Sequence, residues 1–443
     1  MPPPIQVAVV GLGYVGTCVA ATLAGRGLDV VGVDVDRGRV GALAEGRSPF
    51  AEAGLPELLS TAIGAGRLRL STSFDAVESA DVVLLTVGTP VRADGALAAE
   101  QLTAASREVG RRLRPGQLVV VKSTVPAGTV RSLVLPLLHG GGLAGGRDFA
   151  LAFTPERLSE GTALRDLRTF PIVTGGLTPE CTRAAAHFWR SAIGADVIPV
   201  DSLEAAEIVK LASNWWLDLN IALANELAKF TALYDVDVLD VIRATNTMPE
   251  GSGLVNILRP SVGVGGSCLT KDPLMVHHSA RERGLEILTV PAGRAANDSM
   301  PAYTAQLVVD ELTKLGKDPA TSKVAVLGLA FKNGTGDLRA TPTLGVVSRL
   351  VPVCGEVALH DPLVDAAEGE RVFGQPLVPA LADAVRGADC VAVLALHPEF
   401  RDIDFAALPV TRPCLVLDGR AHYPKQKIAE LRGLGYHYRG IGR

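Results

Sequence analysis

The chain has 443 residues, 48% of them hydrophobic and 20% charged, with a net charge of −4. That allows two to three domains with ample core in an ordinary soluble globular protein, and supplies no global basic field for nucleic acid or anionic membrane. No apolar run approaches the roughly 18–20 residues of a bilayer span. The first five residues lack the basic-then-apolar order of a secretory signal, so a cytoplasmic location is expected. Six scattered cysteines (18, 181, 268, 354, 390 and 414) form no Cys-x-x-Cys pair. This argues against a zinc site or a disulfide framework and suits a reducing compartment.

In chain order, Ile5–Val10, Asp29–Asp34, Val82–Val87 and Leu118–Lys122 read as buried parallel strands rich in Val, Leu and Ile, with helices such as Thr17–Arg26 between them. His139–Asp148 is Gly-rich and reads as a flexible connection, and Phe149–Phe153 as a further strand. Leu203–Leu233 carries no Pro or Gly and predicts one long helix. A Gly- and Pro-punctuated stretch, Pro249–Pro273, follows, then helices at Met275–Arg283 and Pro301–Leu315. Strand–helix alternation restarts with strands Lys323–Leu327, Val357–His360, Cys390–Leu394 and Cys414–Leu417 and helix Thr343–Leu350. The expected fold is α/β: two Rossmann-like doubly wound domains, residues 1–200 and 301–443, joined by a mainly helical domain, 201–300, that contains the long helix.

Gly11-Leu12-Gly13-Tyr14-Val15-Gly16 follows a strand and opens a helix. Gly11 permits a tight turn, Gly13 lets backbone approach a pyrophosphate, and Gly16 lets helix and strand pack closely. Asp34 ends the next strand, where a carboxylate binds ribose hydroxyls and repels a 2′-phosphate. NAD is therefore expected over NADP, with Arg37 and Arg39 as the opposing signal. Thr89 and Thr124 follow two further strands at the sheet's carboxyl edge and are candidate hydroxyl donors. Either alone reads better as a turn cap before Pro.

Lys210 and Asn214 lie four apart on the long helix and share a face, with Ile208, Leu211 and Trp215 around it. A partly desolvated Lys there suits a developing alkoxide, although most such pairs are solvated. In Gly263–Asp272, Cys268 sits behind glycines that let a substrate approach. It precedes a helix and Lys271, both expected to favour the thiolate. The other five cysteines read as small buried hydrophobes. Asp272 is placed to accept a proton or order a water. Glu156 and Glu160 are four apart and could share a face of a helical turn, where paired carboxylates activate water. His277 and His278, adjacent on a helix, make a poor metal pair, and no metal is expected.

These motifs resemble the UDP-glucose/GDP-mannose dehydrogenase family along nearly the whole chain: GLGYVG at Gly11–Gly16, GTP at Gly88–Pro90, KSTVPAGT at Lys122–Thr129 and PERLSEG at Pro155–Gly161. The series continues with EIVKLASN at Glu207–Asn214, GVGGSCLTKD at Gly263–Asp272 and AFKNGTGDLR at Ala330–Arg339. The resemblance implies a cytoplasmic, NAD-dependent four-electron oxidation of the C6 alcohol of a nucleoside-diphosphate hexose, and a homodimer built on the long helix is expected. It implies Cys268 as nucleophile, with Lys210, Asn214, Asp272, Thr124 and Glu156 assisting alkoxide, water and thioester chemistry. Gly11, Gly13, Tyr14, Val15, Gly16, Asp34, Arg39, Thr89, Thr124, Glu160 and Lys271 would border the cofactor. Glu156, Arg157, Lys210, Asn214, Arg259, Gly265, Phe331, Lys332 and Arg339 would meet the sugar nucleotide.

Branch signals conflict. PERLSEG and Val255–Leu258 look like enzymes acting on UDP-N-acetylhexosamines, whereas Gly265–Cys268 and Lys271-Asp272 look like the glucose branch. Weighting the nucleophile loop favours UDP-glucose or dTDP-glucose. The alternative is a UDP-N-acetylhexosamine 6-dehydrogenase; further alternatives are a single-step hydroxyacid dehydrogenase and a non-catalytic nucleotide-responsive binding protein.

Overall fold

The computed structural model describes residues 5–50, 52–251 and 253–443. Residues 1–4, on which most of the secretory-signal expectation rests, and Ser252 in the Pro249–Pro273 stretch lie outside them. The chain divides into two compact units, residues 1–213 with 274–286 and residues 214–273 with 287–443.

The first unit is built on eight strands: β1 (Gln6–Val10), β2 (Asp29–Val33), β3 (Leu68–Ser71), β4 (Val82–Leu85), β5 (Leu118–Val121), β6 (Ala150–Phe153), β7 (Ile172–Gly176) and β8 (Val197–Val200). Their order is β3-β2-β1-β4-β5-β6-β7-β8, and every pairing is parallel except β6 with β7. Strands β4 and β5 are buried at every position. This is why they read as continuous apolar runs rather than as alternation: helices cover both faces. The order reverses between β1 and β4, so the carboxyl ends of these strands open the crevice in which such sheets bind ligands. The strands end at Leu85 and Val121, short of the expected Val87 and Lys122, because Thr86–Pro90 and Lys122–Pro126 turn away from the ladder.

The second unit carries a short hairpin, β9 (Pro249–Glu250) with β10 (Gly253–Leu254), and a five-stranded parallel sheet. Its strands are β11 (Lys323–Leu327), β12 (Glu356–His360), β13 (Cys390–Val393), β14 (Cys414–Asp418) and β15 (Tyr436–Gly440), in the order β12-β11-β13-β14-β15. This is again a doubly wound sheet, with its reversal between β11 and β13. Strands β3, β7, β8 and β15 were not anticipated. Leu68–Ser71 is buried only at Leu68 and Tyr436–Gly440 only alternately, which a search for apolar runs passes over.

The long helix is Leu203–Ala232, close to expectation. The helix expected over Met275–Arg283 is Asp272–Arg281, and the one expected to start at Pro301 runs from Thr289 to Lys314 through that proline. Pro301 forgoes one backbone hydrogen bond there, and burial of Val290, Met300 and Val308 on either side sustains the helix. The 139–148 segment is a folded turn rather than a flexible connection. His139 starts a 3₁₀ turn and its Nε2 accepts from Gly145 N–H, while the Asp148 carboxylate accepts from Ala144 N–H. Among the described residues no helix is long and apolar enough to cross a membrane.

Candidate functional site

In the first unit the glycine turn is built as its spacing requires. Gly11 adopts φ 97°, and its N–H donates to Val33 O at 2.8 Å. A Cβ on Gly16 would stand 1.9 Å from Gly11 O, so only glycine lets the helix Tyr14–Gly25 start here. Gly13 differs: a Cβ there meets nothing within 4 Å. The protein's own packing gives no reason for that glycine, whereas close approach of a pyrophosphate to the helix N-terminus does. Asp34 Oδ2 accepts from Leu12 N–H at 2.7 Å and pairs with Arg39 at 3.0 Å, and Oδ1 accepts from Asp36 N–H at 2.9 Å. Arg39 also pairs with Asp36 at 3.5 Å, so this guanidinium, the opposing signal for a 2′-phosphate, is engaged by two carboxylates. These residues fit NAD.

Three contacts here were missed. Thr86, rather than Thr89, reaches the turn, donating to Gly11 O at 2.7 Å. Tyr14 Oη donates to the buried Glu52 at 2.5 Å and accepts from Gly161 N–H at 3.1 Å, which ties the residue after Glu160 to the glycine turn. Glu207, fully buried on the long helix one turn before Lys210, accepts from Gly128 N–H at 2.5 Å and Val130 N–H at 2.9 Å. It thereby fixes the segment after Thr124, and burial pushes its carboxyl up to about 7. Only its place in the EIVKLASN motif hinted at this.

Glu156 and Glu160 do not share a helical turn. The segment after β6 is irregular because Glu156 Oε1 accepts from Leu158 N–H at 2.7 Å, a local turn that replaces the helix. Buried Lys122 lies 3.3 Å from Glu156 Oε2. Arg157 is exposed and donates to Pro171 O at 3.3 Å. Lys210 and Asn214 are both buried, as expected of that helix face, but Ile208 points away and is exposed.

In the second unit both oxygens of buried Asp272 are engaged, by Asn214 Nδ2 at 2.5 Å and by Lys271 Nζ at 2.5 Å. Lys271 therefore serves Asp272 rather than the Cys268 thiol. Cys268 itself is exposed, one turn ahead of the helix Asp272–Arg281, and its carbonyl accepts from Asp272 N–H at 2.9 Å. Of the other cysteines, Cys354 departs from expectation: it is half-buried in a turn, with its thiol pushed up by burial.

The Gly263–Asp272 loop that carries Cys268 packs on the Phe331–Arg339 loop. Gly266 N–H donates to Arg339 O at 3.0 Å. A Cβ on Gly265 would lie 2.6 Å from Ala340 O and Phe331 Cβ, and one on Gly266, which has φ 83°, would lie 2.7 Å from the Phe331 ring. These glycines are thus required by protein packing, not only by an approaching substrate. Phe331 and Lys332 are half-buried, and the Arg339 side chain pairs with Asp337. Arg420, missed by sequence, donates to Phe331 O at 2.7 Å. Exposed Arg259 lies in a segment held by side chains of the long helix: Asn220 bonds the backbone of Asn256 and Leu258, and Asn225 that of Ser261.

Three models of one family match in order: the NAD-binding domain of the UDP-glucose/GDP-mannose dehydrogenase family at residues 5–193, its central domain at 204–299 and its UDP-binding domain at 325–425. The chain is 32% identical over 440 residues to the UDP-N-acetyl-D-mannosamine dehydrogenase of Pyrococcus horikoshii, covering 99% of each. The solved structure of a UDP-D-ManNAc dehydrogenase from that organism matches with a TM-score of 0.87 at 31% identity, again over 99% of each chain. A UDP-glucose 6-dehydrogenase of Haloferax volcanii is 32% identical over 94% of this chain and 96% of its own. With the glycine turn, Asp34 and the seven ordered motifs in place, the chain belongs to the UDP-glucose/GDP-mannose dehydrogenase family and is a nucleotide-sugar dehydrogenase that uses NAD.

Proposed function

We propose that the protein oxidises C6 of a UDP-N-acetylhexosamine, of the UDP-N-acetyl-D-mannosamine type, to the uronate through a thioester on Cys268. The observation that carries the substrate is the end-to-end likeness, in sequence and fold, to the Pyrococcus enzyme of that name. Pro155–Gly161 and Val255–Leu258 support the same reading. The preference for UDP-glucose or dTDP-glucose rested on the nucleophile loop, and Gly265 and Gly266 are explained there by contact with Phe331 and Ala340, which says little about the hexose.

Bound NAD supplies the hydride acceptor for both oxidations. The Lys210 ammonium, desolvated on its helix face beside Asn214, stabilises the alkoxide formed at C6. The Cys268 thiolate adds to the aldehyde, which keeps that reactive species bound until the second oxidation leaves a thioester. Asp272, held at both oxygens, and Glu156, with Thr124, serve the water that releases the acid. Glu160 and Thr89 border the cofactor; Arg157, Arg259, Phe331, Lys332 and Arg339 meet the sugar nucleotide. Trp216, Leu223 and Phe230 are each more than half exposed at seven-residue steps on the long helix, which supports a homodimer. A reducing cytoplasmic setting would keep the Cys268 thiol free.

The test is kcat/KM with NAD for UDP-N-acetylmannosamine, UDP-N-acetylglucosamine, UDP-glucose and dTDP-glucose. A site that hydrogen-bonds the acetamido group should favour its substrate by roughly 10²-fold or more. Faster oxidation of either glucose nucleotide overturns the reading and restores the glucose alternative, which the Haloferax relative favours. Two NADH per sugar distinguish this chemistry from a single-step hydroxyacid dehydrogenase, and none would indicate a binding protein.

A further inference from the structure

The first unit holds a buried cation that the mechanism above does not use. Lys122 follows β5, its side chain is 3% exposed, and its Nζ lies 3.3 Å from Glu156 Oε2 and 5.0 Å from the centre of the Trp189 ring. Trp189 is itself fixed, fully buried and donating from Nε1 to Thr154 Oγ1 at 3.1 Å. Thr154 lies two residues before Glu156, so strand end, indole, ammonium and carboxylate form one packed group.

The two oxygens of Glu156 are treated differently. Oε1 accepts from Leu158 N–H, which fixes the orientation of the carboxyl group. Oε2 is buried and accepts no hydrogen bond from the protein, because the approach of Lys122 is an ion pair without hydrogen-bond geometry. An ammonium in a buried place is normally costly, and so is a carboxylate oxygen left unbonded. Together they make a carboxylate whose charge is balanced while one oxygen stays open to an outside donor.

We propose that Lys122 is a positioning residue for the last step of the reaction: its ion pair holds the Glu156 carboxyl group in place, with Oε2 reserved for the hydrolytic water. This rests on the reading of Glu156 given above. The water oxygen bonds to the thioester carbonyl carbon and one of its protons passes to Glu156 Oε2. The C–S bond breaks, its electron pair leaving with the Cys268 thiolate. The second proton departs when the product acid ionises, and no electrons are exchanged.

The experiment compares Lys122→Met, Lys122→Arg and Glu156→Gln in the full chain, with NAD and UDP-N-acetylmannosamine or, where it is oxidised faster, UDP-glucose. Turnover, NAD affinity, thermal midpoint and the intact mass of the enzyme during turnover are measured. Lys122→Met should lower kcat roughly 10²-fold, as a displaced catalytic group does, with NAD affinity unchanged. The mass of a sugar nucleotide on Cys268 should accumulate, and Lys122→Arg should restore much of the rate. Normal turnover in Lys122→Met alongside a stalled, adduct-bearing Glu156→Gln would overturn the proposal and leave the role of Glu156 standing. Normal turnover in Glu156→Gln would remove that role and the proposal with it. Early melting and lost NAD binding in both Lys122 variants, without adduct, would reduce Lys122 to packing and overturn it equally.

Discussion

The two parallel sheets share a first turn but make different use of it. In the first unit Gly11 (φ 97°) ends β1, and Leu12 N–H donates to Asp34, the residue after β2, at 2.7 Å. In the second, Gly328 (φ 82°) ends β11, and Leu329 N–H donates to Asp361, the residue after β12, at 2.7 Å. The turns diverge after that. Gly13 and Gly16 correspond to Ala330 and Asn333, and the helix that starts at Tyr14 in one does not start until Pro342 in the other. Asp34 is partnered by Arg39 near the surface. Asp361 is partnered by fully buried His397, whose Nε2 lies 2.9 Å away and whose Nδ1 accepts from Gly334 N–H at 2.9 Å. One turn presents a helix N-terminus beside a carboxylate at the strand end. The other uses its carboxylate and a histidine to hold a loop, so a shared strand–turn device does not imply a shared ligand.

The comparison can be broken most severely at Gly16. Gly16→Ala should cost about 3 kcal/mol or more, through its clash with Gly11 O, and abolish NAD binding, as read by calorimetry and titration. Asn333→Ala, the matching change in the second turn, removes only the bond to Leu396 N–H and should cost about 1 kcal/mol.

Buried carboxylates in the two units should give opposite pH dependence. Glu207 is raised by burial to about 7, so its contribution is greatest below its unfolded value and declines as pH rises through 7, by up to about 3 kcal/mol. Glu207→Gln should flatten the thermal midpoint between pH 5 and 8. Burial pushes Asp361 up, but its hydrogen bond and charge interaction with His397, together with the N–H groups of Leu329 and Leu363, outweigh it and hold the carboxyl below its ordinary value. Its contribution is present above the unfolded value and lost as pH falls below about 4. His397→Leu should reduce that acid-side dependence and cost about 2 kcal/mol by leaving Asp361 short of a partner, without changing NAD affinity.

The smallest effect on stability is expected at Gly13. Gly13→Ala should change stability by no more than about 0.5 kcal/mol, since its Cβ meets open space, yet weaken NAD at least about tenfold. Equal losses of stability and affinity would show that packing, not the cofactor, requires this glycine.

Sequence made the buried strands and the glycine turns legible because both are local: an apolar run or a spaced glycine states its requirement within a few residues. Strand β3 was missed because an edge strand such as Leu68–Ser71 is buried only at Leu68. The partners of the site were missed for a different reason. Tyr14 meets Glu52, Lys122 meets Glu156, and Glu207 meets Gly128 across 38, 34 and 79 residues, and no period or spacing encodes such pairings. Lys271 shows the reverse error: adjacency to Cys268 suggested a partner, and the side chain turned to Asp272.

The contact of Gly265 and Gly266 with Phe331 has a consequence for how this enzyme can be altered by mutation. Side-chain volume is exchanged directly between the segment that carries Cys268 and the segment expected to hold the nucleotide. A larger residue at 266 is strained by its φ of 83° whatever faces it, but at 265, with ordinary backbone, part of the penalty depends on what stands at 331. Gly265→Ala and Phe331→Gly should therefore be epistatic, because loss of the Phe331 Cβ removes one of the contacts that a Cβ at 265 meets, as a double-mutant cycle would read. Libraries that vary the nucleotide loop alone would then sample a restricted set of side chains. Productive variants would arise where both loops change together.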